Sequence, residues 1–146
     1  MTKRVVLVFL IIFLGGLSLS DTVAGENFQA LIEQGVAACN QGRFDEAIAK
    51  FDQAIRLKPE VPAPYVYRGR AKYAKGLNRE AIADLNEALK INPNFAQAYN
   101  LRAQVYFTLE DFDQALADLQ QAQKLGLKVD ADYLKLVQKR AAAQGE

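Results

Sequence analysis

Ala47, Ala81 and Ala115 stand 34 residues apart, and most of the chain keeps that step. Phe51, Leu85 and Leu119 form a second column, and Ala54, Ala88 and Ala122 a third. Ile48, Ile82 and Leu116 align in the same way, as do Leu57, Ile91 and Leu125. Small residues Gly35, Gly69 and Ala103 make another column, each four positions after a large one, Leu31, Tyr65 or Tyr99. A fixed period of this length marks an architecture in which one supersecondary unit is copied and the copies stack, each touching only its neighbours.

Inside a unit the apolar spacing is helical. Leu31/Gly35 and Tyr99/Ala103 recur at four residues, and Ile48, Phe51 and Ile55 draw a single stripe. Gly42 and Gly76 break the pattern within units, and Pro59 and Pro93 break it between them, because Pro cannot continue a helix. Helices are therefore predicted over about 28–41, 44–57, 62–75, 78–91, 96–109, 112–125 and 130–143. Three pairs, about 28–61, 62–95 and 96–129, stack because each apolar stripe is too wide to bury alone. The small-residue column marks where helices approach closely. The seventh helix, with Tyr133, Leu136, Val137 and Ala141 expected inward and Lys135, Gln138 and Lys139 outward, reads as a solvating cap. The fold class is all-α, a stack of helix pairs.

The first 25 residues read differently from this domain of residues 26–146. Lys3 and Arg4 precede an apolar run from Val5 to Leu14, which Gly15 and Gly16 carry on to Leu19. The pattern is that of a secretory signal, with small residues Thr22 and Ala24, or Val23 and Gly25, before a cleavage point. Fifteen apolar-rich residues fall short of the roughly 20 that span hydrocarbon, so cleavage is favoured over retention as an anchor. Either way the positive flank stays inside and the domain is exported, to a periplasm, a lumen or the medium.

Composition narrows the chemistry. The chain has no His and one Cys, which removes imidazole-based triads, bases and metal sites, thiolate zinc sites and internal disulfides. A net charge of +1 gives no general attraction to nucleic acid or an anionic surface. No catalytic, cofactor-binding or metal-binding residues are assigned, and no cofactor is expected. Cys39 lies on the apolar side of its helix and reads as core filler.

The period of 34, with its large, small, Ala, aromatic-or-Leu and Ala columns and a closing Pro, resembles the tetratricopeptide repeat (TPR). Repeat one carries Leu31, Gly35, Ala47, Phe51, Ala54 and Pro59. Repeat two carries Tyr65, Gly69, Ala81, Leu85, Ala88 and Pro93. Repeat three carries Tyr99, Ala103, Tyr106, Ala115, Leu119 and Ala122. Gln34, Arg68 and Arg102 depart from the usual Leu, Lys72 from an aromatic, and Leu127 from the closing Pro.

The resemblance implies a right-handed superhelix whose first helices line a concave groove for a peptide or partner helix, without intrinsic catalytic residues. Carried over position by position, the groove holds Gln29, Ile32, Glu33, Val36 and Asn40 from repeat one. Repeat two gives Ala63, Val66, Tyr67, Arg70 and Ala74, and repeat three Gln97, Asn100, Leu101, Gln104 and Thr108. Members that clamp a chaperone's C-terminal carboxylate use Lys, Asn and Arg at slots that here hold Ile32, Val36, Tyr67, Gln97 and Leu101. The resemblance therefore implies a different ligand. Tyr67 and Arg70, one turn apart, are of the types enriched among binding hot spots and lead the contact candidates. Against that, Tyr67 can equally pack on a neighbouring helix.

The function that follows is an exported protein-protein interaction scaffold with a protein or peptide partner and no nucleic acid. The alternative is an anchored accessory or chaperone-like assembly factor, touching a membrane only through residues 5–19. A second copy of the chain is another occupant the groove could take. Arg68, Lys72, Lys75 and Arg79 fall at helical spacing but are too few for a phosphate-binding strip, and read as a solvated edge. Glu110, Asp111 and Asp113 read as helix capping, not as a cation loop. Glu46/Lys50 and Asp52/Arg56 read as i, i+4 pairs.

Overall fold

The computed structural model describes residues 19–144, and the apolar run from Val5 to Leu14 lies outside them. Seven helices fill the described residues: α1 (Leu19–Asn40), α2 (Phe44–Leu57), α3 (Ala63–Ala74), α4 (Asn78–Ile91), α5 (Ala96–Thr108), α6 (Phe112–Lys124) and α7 (Ala131–Gln144). Each helix packs on the next, and the first helices of successive pairs also touch, α1 on α3 and α3 on α5. The expected boundaries hold to within two residues except at one place. Helix α1 is already formed at Leu19, the first described residue, well before 28, and runs on through Thr22, Ala24 and Gly25.

The within-pair turns share one geometry. Gly42 and Gly76 have φ of +72° and +77°, the left-handed conformation that stops a helix. The third repeat puts Glu110 at the same place, 34 residues on, with φ of 61°. One hydrogen bond closes each turn: Arg43 N to Ala38 O, Leu77 N to Lys72 O and Asp111 N to Tyr106 O, all 2.9 Å. Asp111 then caps α6 by accepting from Gln114 N, and Asp130 caps α7 by accepting from Tyr133 N at 2.8 Å. Within the acidic cluster Asp111 is the cap and Asp113 lies in the first turn of α6, while Glu110 is the turn residue.

The core runs along the stack as three linked clusters, one centred on Phe51, one on Leu85 and one on Leu119. Phe51 is fully buried against Gly35, so close that a Cβ built there would lie 2.5 Å from its Cε1. Tyr67 stacks on the same ring, with centroids 5.6 Å apart. Gly69 is less crowded: a Cβ built there would lie 3.3 Å from Ala81 O and from Leu85 Cγ. Helix α7 closes the final apolar face with Val137, which is fully buried, and with Tyr133, whose ring meets Phe107 edge-on at 5.6 Å. Leu134 packs there in place of Leu136, which is 42% exposed. The inward face of α7 is thus rotated from the expected one. Cys39 is half-buried beside the Phe51 cluster; burial raises its thiol pKa, partly offset by the charge of Arg70.

Phe51→Ala opens a cavity and should cost roughly 3 to 5 kcal/mol of stability. Gly35→Ala should also destabilise, although Ala exceeds Gly in helix propensity by about 1 kcal/mol, because the ring has no room to retreat. In the Phe51→Ala background the same Gly35→Ala change should turn stabilising, a reversal of sign that a double-mutant cycle by urea unfolding would detect. Glu110→Gly should stabilise by about 0.5 to 1 kcal/mol, since relief of left-handed strain outweighs added chain freedom. A lower melting temperature for Glu110→Gly would overturn that account.

Candidate functional site

The three first helices of the pairs, α1, α3 and α5, carry all the groove positions, but the structure sorts them into floor and lining. Val66 and Leu101 are 4% and 5% exposed and belong to the Leu85 cluster, so they form floor and offer little contact surface. Tyr67 is half-buried with its ring engaged by Phe51, while Ile32 and Val36 lean on the same cluster. Gln29 and Glu33 are exposed and joined by a 3.2 Å hydrogen bond, and Asn40 ends α1 in solvent. Ala63 is half-buried; Arg70, Ala74, Gln97 and Thr108 are exposed, and Asn100 and Gln104 are half-buried.

Arg70, Ala74, Gln97, Asn100, Leu101 and Gln104 come together around one hollow, which Tyr73 and Leu127 complete. An adjoining hollow shares Tyr73, Asn100 and Gln104 and continues to Phe107, Lys128 and Tyr133 at α7. The first-repeat residues Gln29, Ile32, Glu33, Val36 and Asn40 and the core-stacked Tyr67 line neither. The two hollows share three lining residues and together form a trough in the C-terminal half of the concave face. Tyr73 is held at its centre, its hydroxyl 2.7 Å from Thr108 Oγ1. Tyr133, at the far end, has a raised pKa through burial, with Tyr73 adding to the effect, and its buried hydroxyl makes no hydrogen bond. Cys39, Tyr73 and Phe107 stand 34 residues apart. That column, which would have drawn Tyr73 and Phe107 into the site, is legible in the sequence.

Arg68 and Lys72 do not form a solvated edge. Arg68 on α3 donates to Asp84 on α4 at 2.9 and 2.5 Å and back to Asp52 on α2 at 2.5 Å. Arg102 on α5 repeats the pattern one unit later, with both bonds to Asp118 at 2.7 Å and one to Asn86 at 2.6 Å. Both guanidiniums lie over tyrosine rings, Tyr65 for the first and Tyr99 and Tyr106 for the second. Burial works to lower the Arg68 pKa, but bonding to Asp84 and Asp52 prevails and raises it. For Arg102 the bond to Asp118 is the largest cause of a rise. Lys72 Nζ sits 3.0 Å from Asp84, and Lys75 pairs with Asp45. Asp52 is thus taken by Arg68 and not by Arg56, and Glu46 pairs with Arg43, not Lys50. The pairs of Arg68, Lys72, Lys75 and Arg102 join helices, so their role is to fix the stack, and they leave Arg70 as the cation of α3 that faces the trough.

Comparison with known proteins agrees with this geometry. A family model described as TPR repeat matches residues 35–76 and 69–110, and one described as tetratricopeptide repeat matches 96–125. The chain belongs to the tetratricopeptide-repeat family. No curated protein matches it. Among solved structures, the TPR stack is similar to the first TPR of Spaghetti (RPAP3) bound to the HSP90 peptide SRMEEVD. That match has 23% identity and a TM-score of 0.75, over 83% of this chain and 95% of that one. It is also similar to the Arabidopsis OM64 TPR domain (23%, TM-score 0.74, 83% and 98% covered). A third is the TPR2B domain of yeast Sti1 in complex with pHsp70 (24%, TM-score 0.72, 82% and 98% covered). At these identities the likeness is one of fold.

The trough offers amide donors and acceptors, a guanidinium and the Tyr73 phenol, a set suited to holding a polypeptide by hydrogen bonds. Among the described residues no cluster of His, Cys, Asp and Glu could hold a metal ion, and no helix is long and apolar enough to cross a membrane. Arg102→Ala should cost about 3 to 5 kcal/mol, because it leaves the buried Asp118 unpaired. Arg68→Ala should cost less, since Lys72 still neutralises Asp84. Equal losses in chemical denaturation would refute that ordering.

Proposed function

We propose that this protein is a non-catalytic interaction module that binds a peptide or partner helix in its concave groove and works outside the cytoplasm. The observation that carries the reading is the trough from Arg70 to Tyr133, lined by side chains able to hydrogen-bond a polypeptide. The similar RPAP3 and Sti1 domains, one described with an HSP90 peptide and the other with pHsp70, lend it support. The ligand is proposed to differ from theirs. The five slots the carboxylate clamp would need hold Ile32, Val36, Tyr67, Gln97 and Leu101, which supply no cation.

Export is proposed from Lys3, Arg4 and the apolar run that follows them. Two forms of it differ in one measurable property. Cleavage near Gly25 would release a scaffold, whereas retention would leave an anchored accessory factor, and mass spectrometry of the mature N-terminus separates them.

Binding is tested by cross-linked affinity capture from the native extract with the wild-type chain and an Arg70→Ala/Gln104→Ala variant. Both residues contribute to the trough surface without filling the core, so the variant should keep its melting temperature. A partner captured by the wild type and reduced at least about tenfold by the variant is the expected result. A partner retained in full would place the interface elsewhere.

A further inference from the structure

The stack ends at repeat one in an inter-repeat face that no described helix covers. Ala37, Ala71 and Val105 form one column at the 34-residue step. Ala71 and Val105 are each fully buried in the core cluster of the preceding repeat, whereas Ala37 is exposed. Pro64 and Ala98 are likewise fully buried, and their counterpart Ala30 is half-buried. On repeats two and three the covering element is the second helix of the repeat before, α2 on α3 and α4 on α5, and its Asp52 or Asn86 accepts from the arginine that crosses the seam. On repeat one the same face is a hollow lined by Ala30, Leu31, Gln34, Gln53, Arg56 and Leu57, the last 47% exposed. Gln34 stands in the column of Arg68 and Arg102, and Lys50 in that of Asp84 and Asp118, so a cation replaces the acid that holds the arginine elsewhere. Neither Lys50 nor Arg56 enters an ion pair among the described residues.

From this we infer that the end face of repeat one docks an amphipathic helix of a partner protein, seated as α2 sits on α3 and carrying a carboxylate where α2 carries Asp52. The small residues Ala30 and Ala37 let a helix approach closely, as Pro64 and Ala71 do one repeat later, and the apolar edge of Leu31 and Leu57 supplies area to bury. Lys50 and Arg56 set the sign of the partner, because an acid on its contact face finds a cation and a base meets like charge. The same charges argue against a second copy as the occupant. The far end of the stack exposes Lys139 and Arg140 on α7, and another end face brings Lys50 and Arg56 again, so either self-pairing sets cation against cation. This site is separate from the groove, since none of Gln29, Ile32, Glu33, Val36 and Asn40 lines the hollow.

The test uses the full chain in mild detergent and fluorescence anisotropy at low salt. The probe is a fluorescein-labelled, stapled helical peptide with the sequence of α2, the helix that covers the equivalent face of repeat two, beside counterparts with Asn or Lys at the position of Asp52. The Asp peptide should bind at least about tenfold tighter than the Lys peptide, by a margin that shrinks as salt rises. Ala37→Glu should weaken the Asp peptide at least about tenfold, and Lys50→Glu/Arg56→Glu should transfer the preference to the Lys peptide, with circular dichroism melting unchanged in each. Arg70→Ala/Gln104→Ala should leave binding as it is. Weakening by that variant would put the peptide in the trough, and binding that survives Ala37→Glu would put it elsewhere; either result overturns the site. Equal binding of the Asp and Lys peptides would overturn the charge assignment. A dimer in sedimentation equilibrium that Ala37→Glu dissociates would make a second copy the occupant and overturn the partner. If no peptide binds, the inference fails, and the groove reading still stands or falls on affinity capture.

Discussion

Each pair of helices is joined where a bulky side chain from the second helix lies against a residue of the first that has almost no side chain. Phe51 against Gly35 is the extreme case, since the ring occupies the volume a Cβ would need. Leu85 against Gly69 is looser, and the third pair already tolerates Ala103. The other features of the stack follow from that approach. With the two helices so close, their remaining apolar residues face outward along the stack, and the next pair must cover them. Tyr67 shows the consequence: a residue on the groove-lining helix of repeat two closes the core of repeat one by stacking on Phe51.

Apolar stacking alone is permissive about rotation, and the paired arginines supply a second constraint. Arg68 and Arg102 each reach across a pair-to-pair seam and within their own pair, so one guanidinium ties three consecutive helices. Burying such ions has a desolvation cost that only good geometry offsets. Two-donor contact with a nearly buried aspartate, together with a tyrosine ring under the cation, supplies that geometry. The arginines stand where a Leu is usual in the family, so this chain has replaced an apolar contact with a directional one.

The period made the fold legible. Columns of small and large residues locate seven helices because they record contacts between elements that every repeat must make. The ion pairs were harder to see, although Arg68/Arg102 and Asp84/Asp118 also stand 34 apart. Partners 16 residues away belong to different helices, and helical spacing alone suggested nearer ones such as Arg56 for Asp52. On α7 the alternatives Leu134 and Leu136 lie two residues apart on opposite flanks of a weakly amphipathic helix, and it is Leu134 that packs against the last core cluster. Family positions named the groove residues without revealing depth, which is why Val66 and Leu101 counted as lining when they are floor.

Depth also explains why the trough is one-sided. In the first half of the concave face the apolar groove residues are drawn down toward Phe51, which leaves Glu33, Gln29 and Asn40 as the exposed groups. In the second half Leu127 and Lys128 enter from the link before α7, and Tyr133 of α7 extends the wall that Phe107 of α5 begins. The capping helix therefore does more than shield the last apolar face. By carrying Tyr133 and setting the path of Lys128, it extends the groove beyond the third repeat and gives that end its charge. A stack of identical repeats would present a uniform trough. Here the end-specific residues at α7 break that uniformity.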